Sequence, residues 1–443
     1  MEFRCLSPKF PMRRFLLLTL AALASAAEPE VARVIDVMPV WSGHTVGFDF
    51  LTHRNRQFIA FYDAERHMRV AARALGSAEW KFVRLPSDLK WDSHNYVTMA
   101  IDDQGYIHLS GNMHVVPLVY FRTTRPLDIE TFERIPAMVG PNEDRCTYPH
   151  FLRGSNNEFL FTYRDGRSGA GNQIYNVYEH KTRSWRRLHD APLSDGRGKM
   201  NAYFIGPVKG PDGCFHLCWV WRDHGGCETN HDLSYARSRD LVHWETSSGK
   251  PVPLPMTIET AEIVDPAPVR GGMINGNTRI GFDSAGRVIL TYHKFDARGI
   301  TQAYTARLEG SKWVIRQTSQ WSYRWDFQGG GAIPFEIRIG SVHRDGKGNL
   351  LLDYQHVKEG EGVWVLDEKT LKPVGQREKT RAWPKELERP ESDFPGIAVR
   401  LLPSAGSSGA RYVLRWETLG PNRDRPREGP LPPPSMLRVY ELR

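Results

Sequence analysis

Apolar and polar residues alternate in short stretches along this chain, and the stretches recur in units of about 40 to 55 residues. Each unit contains short apolar strands, a turn often of the D-x-x-G type, a strand with tyrosine and often a closing tryptophan. The second unit shows this plan, because the turn Asp102–Gly105 leads into the apolar stretch Tyr106–Leu109. Alternation with a period of two, interrupted by regularly spaced turns, predicts an all-β protein.

Seven such units fill the chain. They begin at or near His44, His94, Tyr148, Asn201, Thr278, Ile337 and Ile397. This number of units predicts a seven-bladed β-propeller with four-stranded antiparallel blades. A pair of β-sandwiches is the alternative, but it does not explain the recurring tryptophan. The proline-rich run Pro426–Pro434 is expected to cross the surface before the last strand and to close the ring.

The N-terminus has the features of a cleaved export signal. Arg13 and Arg14 precede the short apolar run Phe15–Leu23, and small residues follow up to position 27. We therefore expect a signal peptide at 1–27, a single propeller domain at 28–443, and a secreted or periplasmic protein. A membrane anchor is the alternative, but a span needs about 20 apolar residues. No other stretch is apolar enough to span a bilayer.

The charge balance is mildly basic and excludes few partners. The 443 residues include 59 basic and 51 acidic residues, of which 55 and 50 remain without residues 1–27. The basic residues are scattered, with no basic arm or helix, so nucleic acid is not an expected partner. A slight positive excess suits an acidic polysaccharide or oligosaccharide. We expect a monomer.

Polar residues stand at the predicted starts of the innermost strands, which converge at one mouth of a propeller's central channel. They are His44, His94, Tyr148, Asn201 and the group Asn275–Asn277. An isolated residue of this kind more often satisfies a turn than acts in catalysis. Five convergent polar starts favour a functional site at this mouth.

The densest polar stretch leads into and out of the predicted hairpin of the second blade. His94 and Asn95 precede the hairpin and His114 follows it. Because the chain reverses direction within the hairpin, the two histidines can lie close together. Arg164 lies at the end of the second strand of the third blade, and this strand runs back towards Tyr148. Arg222 has the same position in the fourth blade, so all five charged and aromatic side chains can gather at one rim.

This set suits removal of a proton next to a carboxylate. Arginine can hold the carboxylate and acidify the adjacent C–H, histidine can act as base or acid, and tyrosine can protonate a departing oxygen. The paired carboxylates of most glycoside hydrolases are missing, since Asp92, Asp165 and Asp223 are more simply orienting partners. The pattern favours β-elimination, with Asn201 and Asn95 as further substrate-binding residues.

Four stretches carry a resemblance to a known family. They are Trp91–His114, Thr147–Gly171, Gly210–Trp244 and the C-terminal part, Arg415–Arg427 with Pro430–Leu442. The chain resembles BNR-repeat seven-bladed propellers that degrade uronic-acid polysaccharides. It is most similar to L-rhamnose-α-1,4-D-glucuronate lyases, then to the related propeller α-L-rhamnosidases, and more distantly to ulvan lyases. The resemblance spans essentially the whole chain after the signal.

The resemblance implies catalytic roles for particular residues. The histidine pair of the lyases corresponds to His94 and His114. Their tyrosine and arginine of the third blade correspond to Tyr148 and Arg164, and a further arginine corresponds to Arg222. The rhamnosidases use a histidine near the start of the fold, for which His44 is the candidate here. Elimination, hydrolysis by a rhamnosidase, ulvan-type lyase activity and non-catalytic glycan binding remain open.

A second group of residues has the chemistry of a metal site. His216 and Cys218 alternate on one face of a predicted strand, Cys227 follows, and His293 lies on the next blade. Zinc accepts such ligands. Buried thiols, or a disulfide from Cys214 or Cys218 to Cys227, are the alternatives. No cofactor is required for the chemistry, a structural Ca²⁺ or Zn²⁺ is compatible with the chain, and calcium has support only from the resemblance.

Overall fold

The computed structural model describes residues 29–406 and 411–443. The predicted signal peptide, residues 1–27, lies outside the described residues. The regular structure of these described residues is almost entirely β-strand and forms seven antiparallel sheets, which confirms the predicted all-β seven-bladed propeller. No helix of the described part is long and apolar enough to cross a membrane.

The strands follow the blades in chain order. A first strand, β1 (Val31–Val40), precedes all of them. The first blade consists of β2 (Asp49–His53), β3 (Arg56–Tyr62), β4 (His67–Ala74) and β5 (Lys81–Asp88). The second contains β6 (Val97–Ile101), β7 (Ile107–Gly111), β9 (Tyr120–Thr123) and β10 (Phe132–Arg134), with the short β8 (His114–Val116) between β7 and β9 in sequence.

The third and fourth blades are larger. The third contains β11 (Cys146–Arg153), β12 (Phe159–Arg167), β13 (Ala170–Glu179), β14 (Ser184–Arg187) and β15 (Ser194–Asp195). The fourth contains β16 (Asn201–Lys209), β17 (Phe215–Arg222), β18 (Asn230–Ser238), β19 (Trp244–Glu245), β20 (Pro251–Val252) and β21 (Glu262–Asp265).

The last three blades return to four strands each. The fifth contains β22 (Arg279–Phe282), β23 (Val288–Phe295), β24 (Thr301–Glu309) and β25 (Lys312–Gln317). The sixth contains β26 (Ile337–Arg344), β27 (Leu350–His356), β28 (Gly360–Leu366) and β29 (Pro373–Arg377). The seventh contains β30 (Ile397–Pro403), β31 (Arg411–Leu419) and β32 (Ser435–Leu442). Short 3₁₀ helices occupy Ser93–Asn95, Ile129–Thr131, Cys227–Thr229 and Lys385–Glu388.

The D-x-x-G turns join the first two strands of several blades for a local chemical reason. In the second blade, Asp102 accepts hydrogen bonds from the backbone N–H groups of Gln104 and Tyr106 at 3.0 and 2.8 Å. Gly105 has φ of +86°, which glycine adopts without the strain of a side chain. The same bonds form around Asp283 and Asp345. The turn residues therefore fix the hairpins that the sequence pattern predicts.

The ring is closed by β1, a strand that the repeat pattern did not predict. It pairs with β32 from Val31 opposite Leu442 to Val40 opposite Ser435, and so becomes the fourth strand of the seventh blade. The run Pro426–Pro434 lies in the connection from β31 to β32 and does not itself close the ring. The apolar core lies between neighbouring blades; for example, Phe48 stacks on Trp416 with ring centroids 4.6 Å apart.

Candidate active site

The sheet register of the third blade aligns two candidate residues, His114 and Arg164, on either side of Thr147. The short strand β8 pairs with β11, which places His114 opposite Thr147. Thr147 in turn lies opposite Arg164 on β12. The fourth blade repeats this arrangement, with Asn201 opposite Arg222. Two arginines thus enter the same mouth of the ring from equivalent positions.

Tyr148 is turned by an irregularity in its strand. The pairing of β11 with β12 shifts between Thr147 and His150, and Tyr148 has φ of +60°. This left-handed conformation is uncommon for a residue with a side chain and often marks a functional position. The bulge re-aims the phenol, and its ring centroid lies 5.5 Å from that of His94.

Asp92 fixes both histidines of the second blade. It caps the 3₁₀ helix Ser93–Asn95, accepting the backbone N–H of His94 at 2.9 Å. Its Oδ1 lies 2.7 Å from Nδ1 of His94, and its Oδ2 lies 2.5 Å from Nδ1 of His114. The two imidazole rings stack with centroids 4.1 Å apart. Each ring therefore keeps its Nε2 atom available for a substrate.

Asp424, from the connection between β31 and β32, supports this pair from behind. It accepts hydrogen bonds from the backbone and hydroxyl of Ser93 at 3.0 and 2.9 Å, and from the backbone of Ala332 at 2.8 Å. Its Oδ2 lies 3.4 Å from Nδ1 of His94, and its Oδ1 lies 3.8 Å from Nε2 of His44. Asp424 therefore connects His44 with the stacked histidines.

These carboxylates determine the protonation of His94. Burial would lower its pKa, but hydrogen bonds to Asp424 and Asp92 outweigh that effect and raise the pKa of His94 to about 9. Burial would raise the pKa of Asp92, but hydrogen bonds from His114 and His94 hold it well below its usual range. At neutral pH the group is an ionised Asp92 with a cationic His94. The ionised Asp92 accepts the Nδ1 proton of His114, which in the neutral tautomer leaves a lone pair on Nε2.

Arg164 is buried, with 2% of its surface exposed, yet none of the described residues gives it an acidic partner. It donates to the hydroxyl of Thr147 at 3.1 Å and to the phenol of Tyr203 at 3.4 Å. Its Nε has no hydrogen-bond partner within the described residues. Asp165, its sequence neighbour, lies instead 3.7 Å from Arg145. Arg164 is therefore a desolvated positive charge with capacity for an anion.

Arg222 is held by backbone oxygen atoms. Its Nε donates to the carbonyls of His224 and Gly226 at 3.0 and 3.1 Å, and its Nη2 donates to that of Gly225. Its Nη1 lies 3.4 Å from Oδ1 of Asn275. Neutral acceptors orient this guanidinium without cancelling its charge.

Tyr203 lies between the two arginines and was missed by the sequence analysis. Its ring is 5.5 Å from the guanidinium carbon of Arg222, and its hydroxyl lies 2.6 Å from that of Ser168. Burial would raise the pKa of Tyr203, but the charges of Arg222 and Arg164 outweigh it and lower the pKa. Burial raises the pKa of Tyr148, which remains a protonated phenol at neutral pH. Tyr203 stands two residues after Asn201 on the same strand, and this period-two spacing was the available clue.

These groups enclose one cavity of about 270 Å³. Five of the predicted residues line it: His94, His114, Tyr148, Arg164 and Arg222. Ser168, Tyr203, Asn275 and the apolar Ile333 and Phe335 also contribute. Among the described residues, the lining contains basic, phenolic and amide groups but no carboxylate.

Three other predicted residues lie outside this cavity. His44 is 1% exposed and lies behind Asp424. Asn95 is buried, and its carbonyl accepts the hydroxyl of Tyr62 at 2.6 Å. Asn201 lines a neighbouring cavity of about 380 Å³, which shares Tyr148 and Arg164 with the first.

The predicted metal set does not assemble. His216 hydrogen-bonds Tyr235 and Asp212, Cys218 faces Thr278, and His293 packs against Trp325, while Cys227 lines the cavity. Among the described residues, only Asp92, His94 and His114 bring three metal-ligating atoms within 4.8 Å of one another. The hydrogen bonds of Asp92 to the two histidines account for the short distances within that cluster. The cysteines at positions 146, 214, 218 and 227 are buried free thiols, so the alternative disulfide does not form.

The comparisons with known proteins agree with this architecture. Residues 56–321 match a model of BNR repeat-containing family members. The polysaccharide lyase Uly1 superposes with a TM-score of 0.61 at 12% identity, over 93% of this chain and 99% of that one. An ulvan lyase bound to -[GlcA(1-4)Rha3S]- gives a TM-score of 0.57 at 13% identity, over 92% and 95%. No protein with a curated description matches the sequence significantly.

Proposed function

This chain belongs to the BNR repeat-containing family, and we propose that it is a polysaccharide lyase. The substrate is an acidic polysaccharide side chain of the arabinogalactan type. The enzyme cleaves the bond between L-rhamnose and position 4 of D-glucuronate by β-elimination. The similarity of fold to polysaccharide lyases supports this proposal, including the similarity to the ulvan lyase bound to -[GlcA(1-4)Rha3S]-.

One observation carries the proposal: the cavity gathers two guanidinium groups and a cationic His94, and the described residues that line it include no carboxylate. A uronate carboxylate would be attracted to this cavity and neutralised there. Neutralisation stabilises the negative charge that develops when the adjacent C5 loses its proton. Hydrolysis by the usual mechanism would instead need two carboxyl groups flanking the bond.

The proposed reaction uses only side chains of this chain. Nε2 of His114 takes the proton from C5 of the glucuronate. The electron pair of that C–H bond forms the C4–C5 double bond, and the bond between C4 and O4 breaks. Tyr148 gives its phenolic proton to O4, which leaves with the rhamnose. The products are a 4,5-unsaturated uronate and a rhamnose with a free reducing end, and no water is consumed.

The protonation states support this division of roles. Tyr148 has a raised pKa and keeps its proton until the leaving oxygen develops charge. His94 is cationic at neutral pH because of Asp92 and Asp424, so it serves as a positive group rather than as the base. His114, hydrogen-bonded through Nδ1, presents the Nε2 lone pair that a base requires.

The decisive experiment is incubation of the purified protein with rhamnose-capped glucuronate oligosaccharides from arabinogalactan. Elimination predicts release of rhamnose together with new far-ultraviolet absorbance from the unsaturated uronate. A His114→Ala variant should lose both signals, whereas His243→Ala, a change at an exposed histidine, should retain them. Rhamnose release without new absorbance would overturn elimination and favour a rhamnosidase that depends on His44.

Export is part of the same proposal. The basic and apolar pattern of residues 1–27 supports cleavage of a signal peptide. N-terminal sequencing of protein recovered from outside the cytoplasm should begin near residue 28. A protein that keeps Met1 or Met12 would contradict it.

A further inference from the structure

A further cleft, separate from the cavity lined by Asn201, lies beside the candidate active site. It has a volume of about 660 Å³ and runs between Phe394–Gly396 and the segment after β31. This cleft and the candidate active site share a wall. Arg423 lines the cleft, Ala332 lines the candidate active site, and the backbone N–H of Arg423 donates to the carbonyl of Ala332 at 3.0 Å. The backbone N–H of Ala332 in turn donates to Asp424. Arg423 lines the cleft on one side of this wall, and Asp424 supports His94 on the other.

Three arginines at alternate positions line this cleft: Arg423, Arg425 and Arg427. None has a carboxylate oxygen within 4.0 Å among the described residues. Of the described residues in the lining, only Glu428 is acidic. The cleft therefore concentrates positive charge, although basic residues elsewhere in the chain are scattered.

Two of these arginines are held in place by neutral oxygen atoms. Arg423 donates to the carbonyl of Gln328 at 2.8 Å, and Arg427 donates to that of Gly420 at 2.7 Å. The Nε of Arg427 is buried and has no partner within the described residues. Arg425 makes no side-chain hydrogen bond there and is exposed. Oriented guanidinium groups with unused donors are suited to a planar or tetrahedral oxyanion.

We propose that this cleft is a second subsite, which binds another anionic group of the same polysaccharide chain. The inference rests on the proposed function for the identity of the chain. With the terminal rhamnosyl-glucuronate of a side chain bound at His94, a further uronate or sulfated sugar of the same polysaccharide can occupy the neighbouring cleft. The bound group is a carboxylate or a sulfate ester, which share the chemistry that arginine recognises.

The test measures how affinity depends on chain length. Calorimetry would compare a disaccharide and a hexasaccharide of rhamnose and glucuronate, each with and without sulfate, on the full chain carrying Tyr148→Phe to prevent cleavage. We expect the hexasaccharide to bind at least about tenfold more tightly, the equivalent of one charge-assisted contact. Arg425→Glu should abolish most of this gain, because it reverses the charge of a side chain that makes no hydrogen bond or ion pair with the described part of the chain. Arg239→Glu, at an exposed arginine of the fourth blade, is the matched control and should preserve the gain.

The outcomes are distinct from those of the activity assay. A gain that appears with unsulfated chains assigns the cleft to carboxylates, and a gain that needs sulfate assigns it to sulfate esters. Equal affinities for the two lengths, or a gain that survives Arg425→Glu, would overturn the subsite. Length-dependent binding by a wild-type protein that cleaves nothing would support the subsite and reject the lyase.

Discussion

Oδ2 of Asp424 lies 3.4 Å from Nδ1 of His94. This contact joins the seventh blade to the segment that leads into the second blade. Asp424 and the preceding Arg423 both have positive φ, of 56° and 53°. Such a conformation at two successive non-glycine residues is costly and is maintained by the surrounding hydrogen bonds. The connection between β31 and β32 is therefore built to hold this carboxylate behind the histidine.

Asp424→Asn should shift the alkaline limit of activity to lower pH. The raised pKa of His94, about 9, means that its ion pairing stabilises the folded protein below pH 6.5 and that this contribution is lost as the pH rises towards 9. Removing one of the two carboxylates lowers this pKa, so the cationic form disappears earlier. The shift is measurable in the pH dependence of kcat/KM and in the NMR titration of His94. Asp190→Asn, at an exposed position, is the control; a variant with an unchanged titration would remove Asp424 from this role.

Arg164→Lys should lower kcat by about 10²–10³, the usual effect of removing one preorganised donor. Lysine keeps the charge but cannot donate to Thr147, Tyr203 and a carboxylate in one plane. Steady-state kinetics and melting temperature should be measured together, with Arg145→Lys at a largely exposed arginine as the control. A parallel loss of melting temperature and activity would point to a bracing role. A well-folded variant with near-normal turnover would exclude Arg164 from the mechanism.

Tyr148→Phe should reduce kcat by about 10²–10⁴, the usual contribution of a general acid. The loss should shrink for synthetic substrates whose leaving alcohol is more acidic than rhamnose, because such a group needs less help from a proton donor. Tyr203→Phe removes a different phenol, which contacts Ser168 and Arg164, and should not show this dependence on the leaving group. Equal sensitivity of both variants to the leaving group would refute the assignment of Tyr148 as the acid.

His293 should make the protein sensitive to acid. Burial lowers its pKa to about 4, so the neutral ring contributes stability above pH 6.5. That contribution is lost as the pH falls from 6.5 to 4, because the unfolded chain then binds the proton more readily. His293→Leu should show a smaller fall in melting temperature over this interval than the wild-type protein. An identical acid profile for the two proteins would contradict the assignment.

The blades could be predicted because their determinants are local. The Asp102 turn satisfies its own backbone, and alternation within each strand is visible without knowledge of its neighbours. The meeting of His94, His114 and Tyr148 was predictable for the same reason, since adjacent hairpins bring them together. Arg164 and Arg222 followed from their equivalent places in two repeats.

The remaining features depend on contacts that no local pattern encodes. The contact between Asp424 and His94 joins residues 330 positions apart in the chain and forms only when the ring is closed. Likewise, β1 pairs with a strand of the seventh blade. The four predicted metal ligands do not come together in the structure, because residues on one face of a strand need not converge on one point. His216 and Cys218 face the fifth blade, where Phe282 and Thr278 cover them, and His293 lies in a separate apolar cluster.

The pairing of β1 with β32 also sets an order of events during synthesis. The first of the described strands, β1, has no partner strand until β32 exists, and Asp424 lies in the connection that precedes β32. A nascent chain can therefore form its middle blades while the histidine pair still lacks its rear carboxylate. The candidate site is completed in the same step that pairs the first described strand with the last one, so under the proposed function the cleavage activity reports that the ring has closed.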